Sequence, residues 1–65
     1  MTQKDQLKVM RAGFTIIRAD EHNLQLKFKD RNNLHWKILR SGFSSKSALQ
    51  REKKEFLKMN LFIED

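Results

Sequence analysis

The stretch LQLKFKDRNNLHWKIL, residues 24–39, determines the fold that this sequence predicts. Apolar and polar residues alternate on both sides of a polar centre, which is typical of two strands joined by a turn. One predicted face of the sheet carries the apolar side chains Leu24, Leu26, Phe28, Leu34, Trp36 and Ile38. The other face carries the basic side chains Lys27, Lys29, Lys37 and His35. We therefore expect an apolar core side and a basic outer side.

The length of the loop inside this stretch determines which side chains share a face. Phe28 and Trp36 point to the same side only if the loop has an odd number of residues, because successive strand residues alternate. We therefore expect the three-residue loop Asp30-Arg31-Asn32, since asparagine tolerates the left-handed conformation that such loops need. This register pairs Leu26 with Trp36 and makes Trp36 the predicted centre of the core.

The strand before this stretch has two alternative registers. Residues 14–19, FTIIRA, are β-branched and aromatic and predict a first strand. A five-residue loop, residues 19–23, turns Phe14 and Ile16 toward the core. A four-residue loop, residues 20–23, turns the alternate set inward, which is Thr15, Ile17 and Ala19. We favour the first register because it buries more apolar area, and it leaves Ile17 exposed or covered by another element.

Two helices are predicted, one before and one after the three strands in the chain. A capping box at Thr2-Gln3-Lys4-Asp5 and a terminating glycine, Gly13, place the first helix at about residues 3–12. Ser44 is the expected cap of the second helix, which runs to about Met59. The chain therefore has the predicted order α-β-β-β-α.

Two features of the second half affect how these elements pack. Glu52 falls within the apolar face of the second helix, so its carboxylate should lie at the margin of the core or pair with a buried base. Residues 61–63, Leu-Phe-Ile, predict a short strand-like tail. We expect this tail to pair with a sheet edge of its own chain or of a second copy.

The composition indicates one small domain, residues 1–65, with a single core. The absence of cysteine excludes disulfides, thiolate metal ligands and thiol catalysis. No apolar run is long enough to cross a bilayer, and the N-terminal residues lack the apolar core of a signal peptide. We therefore expect a cytoplasmic protein without a membrane partner.

Charge is the strongest global signal in the sequence. Fourteen Lys and Arg residues stand against eight Asp and Glu residues, for a net charge of +6. The excess is concentrated in residues 27–58, which hold ten basic side chains and three acidic ones. A small basic domain attracts polyanions, and nucleic acid is the commonest of these, so the distribution favours a nucleic-acid partner. A solvated surface with a lysine excess is the alternative.

The order of elements resembles that of the double-stranded-RNA-binding domain. The matching residues are His22, between the first two strands, and Gly42–Ala48, GFSSKSA, at the start of the last helix. In that family a loop histidine contacts the minor groove, and the serine- and lysine-rich helix start grips phosphates. The resemblance therefore implies these roles for His22 and Lys46. Two acidic residues beside the histidine, Asp20 and Glu21, depart from the family and would repel phosphate.

The three strands and last helix also resemble the arm-binding domains of phage integrases and of certain plant transcription factors. Those domains lay the outer face of a sheet into the DNA major groove. That resemblance implies contacts by Lys27, Lys29, Lys37 and His35, with the helix behind the sheet. The whole chain is also similar to small uncharacterised basic proteins of gut anaerobic bacteria, which imply no activity.

The sequence gives little support for catalysis. His22 and His35 lack the cysteines or spaced carboxylates that would complete a metal site. Neither a glycine-rich phosphate loop nor a nucleophile motif is present. We therefore expect no enzyme activity, and no metal, cofactor or small-molecule substrate.

The sequence thus predicts an α+β fold in which two helices flank a three-stranded antiparallel sheet, followed by a short tail. We expect it to bind duplex DNA or RNA, mainly through backbone phosphates. The expected contacts are Lys27, Lys29, Lys37, His35, Lys46, Arg51, Lys54, Lys58 and His22. The alternative is a homodimer or protein-interaction module that uses the tail for sheet-edge pairing.

Overall fold

The computed structural model describes all 65 residues, Met1–Asp65, and confirms the predicted α+β fold. Its elements are α1 (Gln3–Arg11), β1 (Thr15–Asp20), β2 (Gln25–Asp30), β3 (Asn33–Arg40), α2 (Lys46–Leu57) and β4 (Phe62–Glu64). The strands form one sheet in the order β3-β2-β1-β4. The first three strands pair antiparallel, and the predicted tail, β4, joins its own sheet parallel to β1. Neither helix has the length and apolar character needed to span a membrane.

Local signals in the sequence place both helices. The Thr2 hydroxyl accepts a hydrogen bond from the Asp5 backbone amide at 3.2 Å, and so satisfies one of the free donors at the start of α1. The Ser45 hydroxyl accepts from the Ala48 amide at 3.2 Å, so α2 is capped one residue later than predicted. Gly13 has a φ of 100°, a left-handed conformation in which the chain can leave α1 and enter β1.

The first helix, α1, covers one side of the sheet, which we call the α1 side. Ile16 of β1 is fully buried there, and Met10 of α1 is 3 % exposed. Gln6 of α1 is also buried, and its carbonyl accepts a hydrogen bond from the Lys29 ammonium at 3.1 Å. Its amide donates to Asp65 at 2.8 Å, so both polar atoms of this buried side chain have partners.

The second helix, α2, covers the other side, which we call the α2 side. Ile17 follows Ile16 in β1 and therefore points the opposite way. Lys53 of α2 forms an ion pair at 2.7 Å with Glu64, the β4 residue opposite Ile17. The fully buried side chains on this side are Ile17, Leu26 and Leu49. The sheet therefore has a core on each side, whereas the sequence predicted a single one.

Glu52 pairs with Arg40 across the margin of the α2 side. Its side chain is 30 % exposed, so the carboxylate lies where the helix meets the edge of the sheet. The Arg40 guanidinium also lies 5.7 Å from the centroid of the Phe56 ring. The predicted position at the margin of the core is therefore confirmed, and the partner of Glu52 is an exposed base, not a buried one.

In the first hairpin, the side chains of β1 face the opposite sides of the sheet from those expected in the favoured register. β1 pairs Ile17 with Phe28 through a four-residue loop, residues 21–24. The favoured arrangement, with Ile16 on the side of Phe28, is wrong. The alternate set faces α2, as the four-residue alternative required: Thr15, Ile17 and Ala19. Because α1 buries Ile16 on the opposite side, the gain in buried area no longer favours either register.

The second hairpin is shorter than predicted. Asp30 pairs with Asn33, which leaves the two-residue loop Arg31-Asn32. The Asp30 carboxylate accepts hydrogen bonds from the backbone amides of Asn32 at 2.9 Å and Asn33 at 2.8 Å. This side chain therefore closes the turn, and the predicted three-residue loop is wrong.

The shorter loop turns β3 over relative to the prediction. Lys37 pairs with Phe28 and faces the α2 side, whereas Trp36 faces the α1 side. The prediction that Trp36 packs with Leu26 in the core is therefore wrong, since the two side chains lie on opposite sides of the sheet. Trp36 is only half-buried.

The outermost strand, β3, is irregular along its ladder with β2. The register shifts between Leu26 and Lys27 and again between Phe28 and Asp30. Such shifts bend a strand and interrupt the even spacing of its hydrogen bonds.

Candidate functional site

Part of the α1 side is left uncovered. Next to the region that α1 buries, Arg18 and Ile38 are exposed, Ile38 to 59 % of its surface. Lys27 pairs with both of them across the neighbouring strands, so the three side chains share this side. With Lys29 and Trp36 they form what we call the Trp36 patch: Arg18, Lys27, Lys29, Trp36 and Ile38.

Two cations lie against the indole of Trp36. The Lys29 ammonium is 4.7 Å and the Arg18 guanidinium carbon 5.8 Å from the centroid of the ring. Both distances are within the range of cation–π attraction, which is about 0.5–1 kcal/mol at exposed sites. These contacts hold two basic side chains beside one accessible aromatic ring.

The third cation of the patch has a counter-ion. Lys27 lies directly across from Arg18 in the ladder, and two like charges in such a position repel each other. The Asp20 carboxylate lies 3.2 Å from the Lys27 ammonium and offsets this repulsion. Lys27 is therefore less available to an incoming anion than Arg18 or Lys29.

Asp20 also organises the β1–β2 loop. Its carboxylate accepts a hydrogen bond from the Asn23 side-chain amide at 2.9 Å and others from the backbone amides of His22 and Asn23. The Asn23 side chain, with smaller contributions from the Asn23 backbone, Lys27 and Gln25, holds the pKa of Asp20 well below its ordinary value, although partial burial opposes this. The carboxylate is therefore ionised and fixed at one end of the patch.

A cleft of about 390 Å³ adjoins the indole. It is lined by Arg18, Ala19, Asp20, Glu21, His22, Lys27 and Trp36. Arg18 and Lys27 supply its cations and Trp36 its aromatic ring, whereas Asp20, at the end of β1, and Glu21, in the loop, supply its carboxylates. The cleft thus combines cations, an aromatic ring and carboxylates, and the Lys27–Asp20 ion pair lies in its lining.

The structure separates the residues predicted to bind nucleic acid into three groups. Lys27, Lys29 and His22 lie at the Trp36 patch or its cleft. Lys37 and His35 are exposed on the α2 side of β3, so the predicted single basic face with Lys27 and Lys29 is wrong. The remaining group lies on α2 and comprises Lys46, Arg51, Lys54 and Lys58.

The basic residues of α2 differ in their partners. Lys58, at the C-terminal cap, pairs with Glu55 at 3.0 Å. Lys46, Arg51 and Lys54 are exposed and form no ion pair. Their charge is therefore free to act on a ligand at a distance.

Sequence reasoning missed Arg18 and the accessibility of Trp36. The signal for Arg18 was the four-residue loop, because that register places Arg18 on the side of Lys27. The signal for Trp36 was the Asp30 carboxylate, whose capacity to close a two-residue turn reverses the facing of β3.

No group of three or more His, Cys, Asp or Glu side chains is arranged to hold a metal ion. Comparison with known protein families, curated proteins and solved structures finds no match for this chain. Function is therefore inferred from the Trp36 patch and from the distribution of charge.

Proposed function

We propose that this chain is a cytoplasmic nucleic-acid-binding module that contacts its ligand through the Trp36 patch. The observation that supports the proposal is an accessible indole flanked by Arg18 and Lys29 on an uncovered part of the sheet. Basic side chains contact phosphates and position a nucleic acid, and an aromatic ring beside them adds apolar contact with a base or sugar.

The proposal differs from the sequence prediction in its contacts. Duplex binding by a flat face required four basic side chains on one side of the sheet, and Lys37 and His35 lie on the other. Arg18, which the prediction omitted, joins Lys27 and Lys29 instead. Because Asp20 neutralises Lys27, we assign the main phosphate contacts to Arg18 and Lys29.

The basic residues of α2 have a different role in this proposal. Since α2 covers the opposite side of the sheet, Lys46, Arg51 and Lys54 do not contact a nucleic acid that is bound at the Trp36 patch. Their unpaired charge adds to the positive field of the whole molecule, which raises the rate of encounter with a polyanion. This contribution disappears at high ionic strength.

The test compares two lysine variants in a binding titration at several salt concentrations. Lys29→Gln and Lys37→Gln remove the same charge from opposite sides of the sheet. We expect Lys29→Gln to weaken binding several-fold and to reduce the slope of log K against log salt by about 0.7–0.9, the value for one lost phosphate contact. Lys37→Gln should change both quantities much less.

Two outcomes would contradict the proposal. Equal effects of the two substitutions would mean that net charge alone attracts the nucleic acid, without contact at the patch. No binding of single-stranded or duplex DNA or RNA at low salt would exclude the function itself.

A homodimer is the second candidate function, because Leu34 and Ile38 are 55 % and 59 % exposed on the same side of β3. The tail, Phe62–Glu64, pairs with β1 and forms one edge of the sheet, so the predicted pairing with a second copy would use this edge and leave Leu34 and Ile38, at the other edge, uncovered. A dimer would instead bury the two apolar side chains, and it would persist or tighten as salt rises. Sedimentation of the titration samples at low and high salt distinguishes the two candidates.

A further inference from the structure

We propose that the Trp36 patch binds single-stranded nucleic acid by stacking one unpaired base on the indole of Trp36. This inference rests on the proposed function and adds the form of the ligand. In a duplex the faces of each base are covered by its stacked neighbours, and only the edges are open to a protein. An unpaired base offers its face, which is the surface that an indole contacts.

The surroundings of the indole fit one nucleotide. The ring forms one wall of the cleft of about 390 Å³, which is open on the uncovered side of the sheet. Pockets of this size are at the lower end of those that enclose small organic ligands. Because Trp36 lines the cleft, a base that occupies the cleft lies beside the indole.

The cations on the indole do not block this site. Base–aromatic stacking is stronger than an exposed cation–π contact, so an incoming base displaces Arg18 or Lys29 from the ring. Lys29 lies on β2, next to β3, and Arg18 lies on β1, one strand further. Both side chains stay within reach of the phosphates that flank the stacked base. The displaced cation therefore loses its contact with the indole and gains an ionic contact with a phosphate.

The unpaired carboxylate in the cleft favours a single nucleic-acid strand over a duplex. Glu21 lines the cleft and forms no ion pair, so its charge repels phosphate, whereas the charge of Asp20 is offset by Lys27. A single strand has one row of phosphates to place beside Arg18 and Lys29. A duplex carries two rows, and the patch has no further unpaired cation for the second row.

The first experiment uses Trp36 as its own probe, because it is the only tryptophan in the chain. Single-stranded DNA and RNA of about ten nucleotides, within the site size of known single-strand binders, are titrated into the protein. The matching duplexes and heparin serve as comparisons. We expect single strands to quench tryptophan emission and to bind several-fold tighter than the duplexes, and we expect heparin to leave the emission nearly unchanged.

The second experiment separates the ring from the charge. Labelled single strands are titrated by anisotropy with Trp36→Leu, which removes the aromatic ring, and with Trp36→Phe, which keeps one. We expect Trp36→Leu to weaken single-strand binding roughly 5- to 150-fold and Trp36→Phe to retain most of it. Heparin binding should change little in either variant, and circular dichroism checks that both are folded.

The outcomes separate this inference from the function on which it rests. Equal affinity for single strands and duplexes, with unchanged tryptophan emission, overturns base stacking and leaves nucleic-acid binding in place. Single-strand binding that a folded Trp36→Leu variant retains in full does the same. Failure of every nucleic acid to bind at low salt overturns both, and the quenching of the wild-type protein decides the matter if the Leu variant does not fold.

Discussion

The two sides of the sheet differ in how completely a helix covers them. On the α2 side the apolar side chains of three elements are fully buried, and the ion pairs Arg40–Glu52 and Lys53–Glu64 lie at its margins. On the α1 side Ile16 of β1 is fully buried, yet Trp36 and Ile38 of β3, two strands away, meet solvent. The difference indicates that α2 closes its side of the sheet, whereas α1 leaves part of its own side free for a ligand.

The largest expected effect comes from comparing two side-chain truncations, one on each side of the sheet. Leu49→Ala removes a fully buried side chain from the α2 side, and it should lower the free energy of unfolding by about 2–5 kcal/mol. Ile38→Ala removes a β-branched side chain that is 59 % exposed, and it should cost about 1 kcal/mol or less. Urea unfolding followed by circular dichroism measures both values. Similar losses from the two variants would show that Ile38 is covered and that this part of the α1 side is not free surface.

A smaller effect is expected for Asp20, whose contribution to stability depends on pH. Because the pKa of Asp20 is lower in the folded protein than in the unfolded chain, its carboxylate stabilises the fold above the unfolded value of about 3.9. That stabilisation is lost as the pH falls from there through the folded pKa. Asp20→Asn should therefore be less stable than the wild type at pH 7, and the difference in melting temperature should narrow in acid.

Glu21→Gln is the control for this measurement, since Glu21 is the next residue and its side chain makes no hydrogen bond or ion pair in the structure. A difference between wild type and Asp20→Asn that stays constant from neutral pH to pH 2 would mean that the hydrogen bonds of Asp20 do not depend on its charge.

The smallest expected effect tests whether the ligand lies at the cleft. Glu21→Gln removes an exposed negative charge beside the proposed ligand, and it should raise affinity for single strands about two- to fivefold at low salt. The gain should fade as salt rises. Glu55→Gln removes one negative charge from α2, where Glu55 pairs with Lys58, and it should have less effect. Equal gains from the two variants would place the ligand elsewhere on the molecule.

The sequence was sufficient to predict what depends on neighbouring residues. The Thr2 cap and the glycine at position 13 place α1, and the alternation of apolar residues places β2 and β3 as strands. The order of elements follows from these local signals. The tail was identified as a strand, and its pairing with β1 settles which sheet edge it joins.

The facing of the strands could not be predicted, because it depends on the number of loop residues. One residue fewer between β2 and β3 moves Trp36 from the expected core to the open surface. Leu24 illustrates the same difficulty. It was predicted as an inward-facing strand residue, yet it ends the first hairpin loop with a φ of 49°, a left-handed conformation that leucine rarely adopts. Strand pairing and the coverage of both sides decide these positions.

The two interruptions in the β3 ladder have a consequence for how this small protein behaves when concentrated. An outer strand of eight residues is long enough to recruit another chain and begin a fibre, because its free amides and carbonyls form a template. A recruited strand needs those groups in an even, straight row. The kinks within β3 break that row into short pieces, and so protect the molecule from ordered aggregation while its open surface stays available.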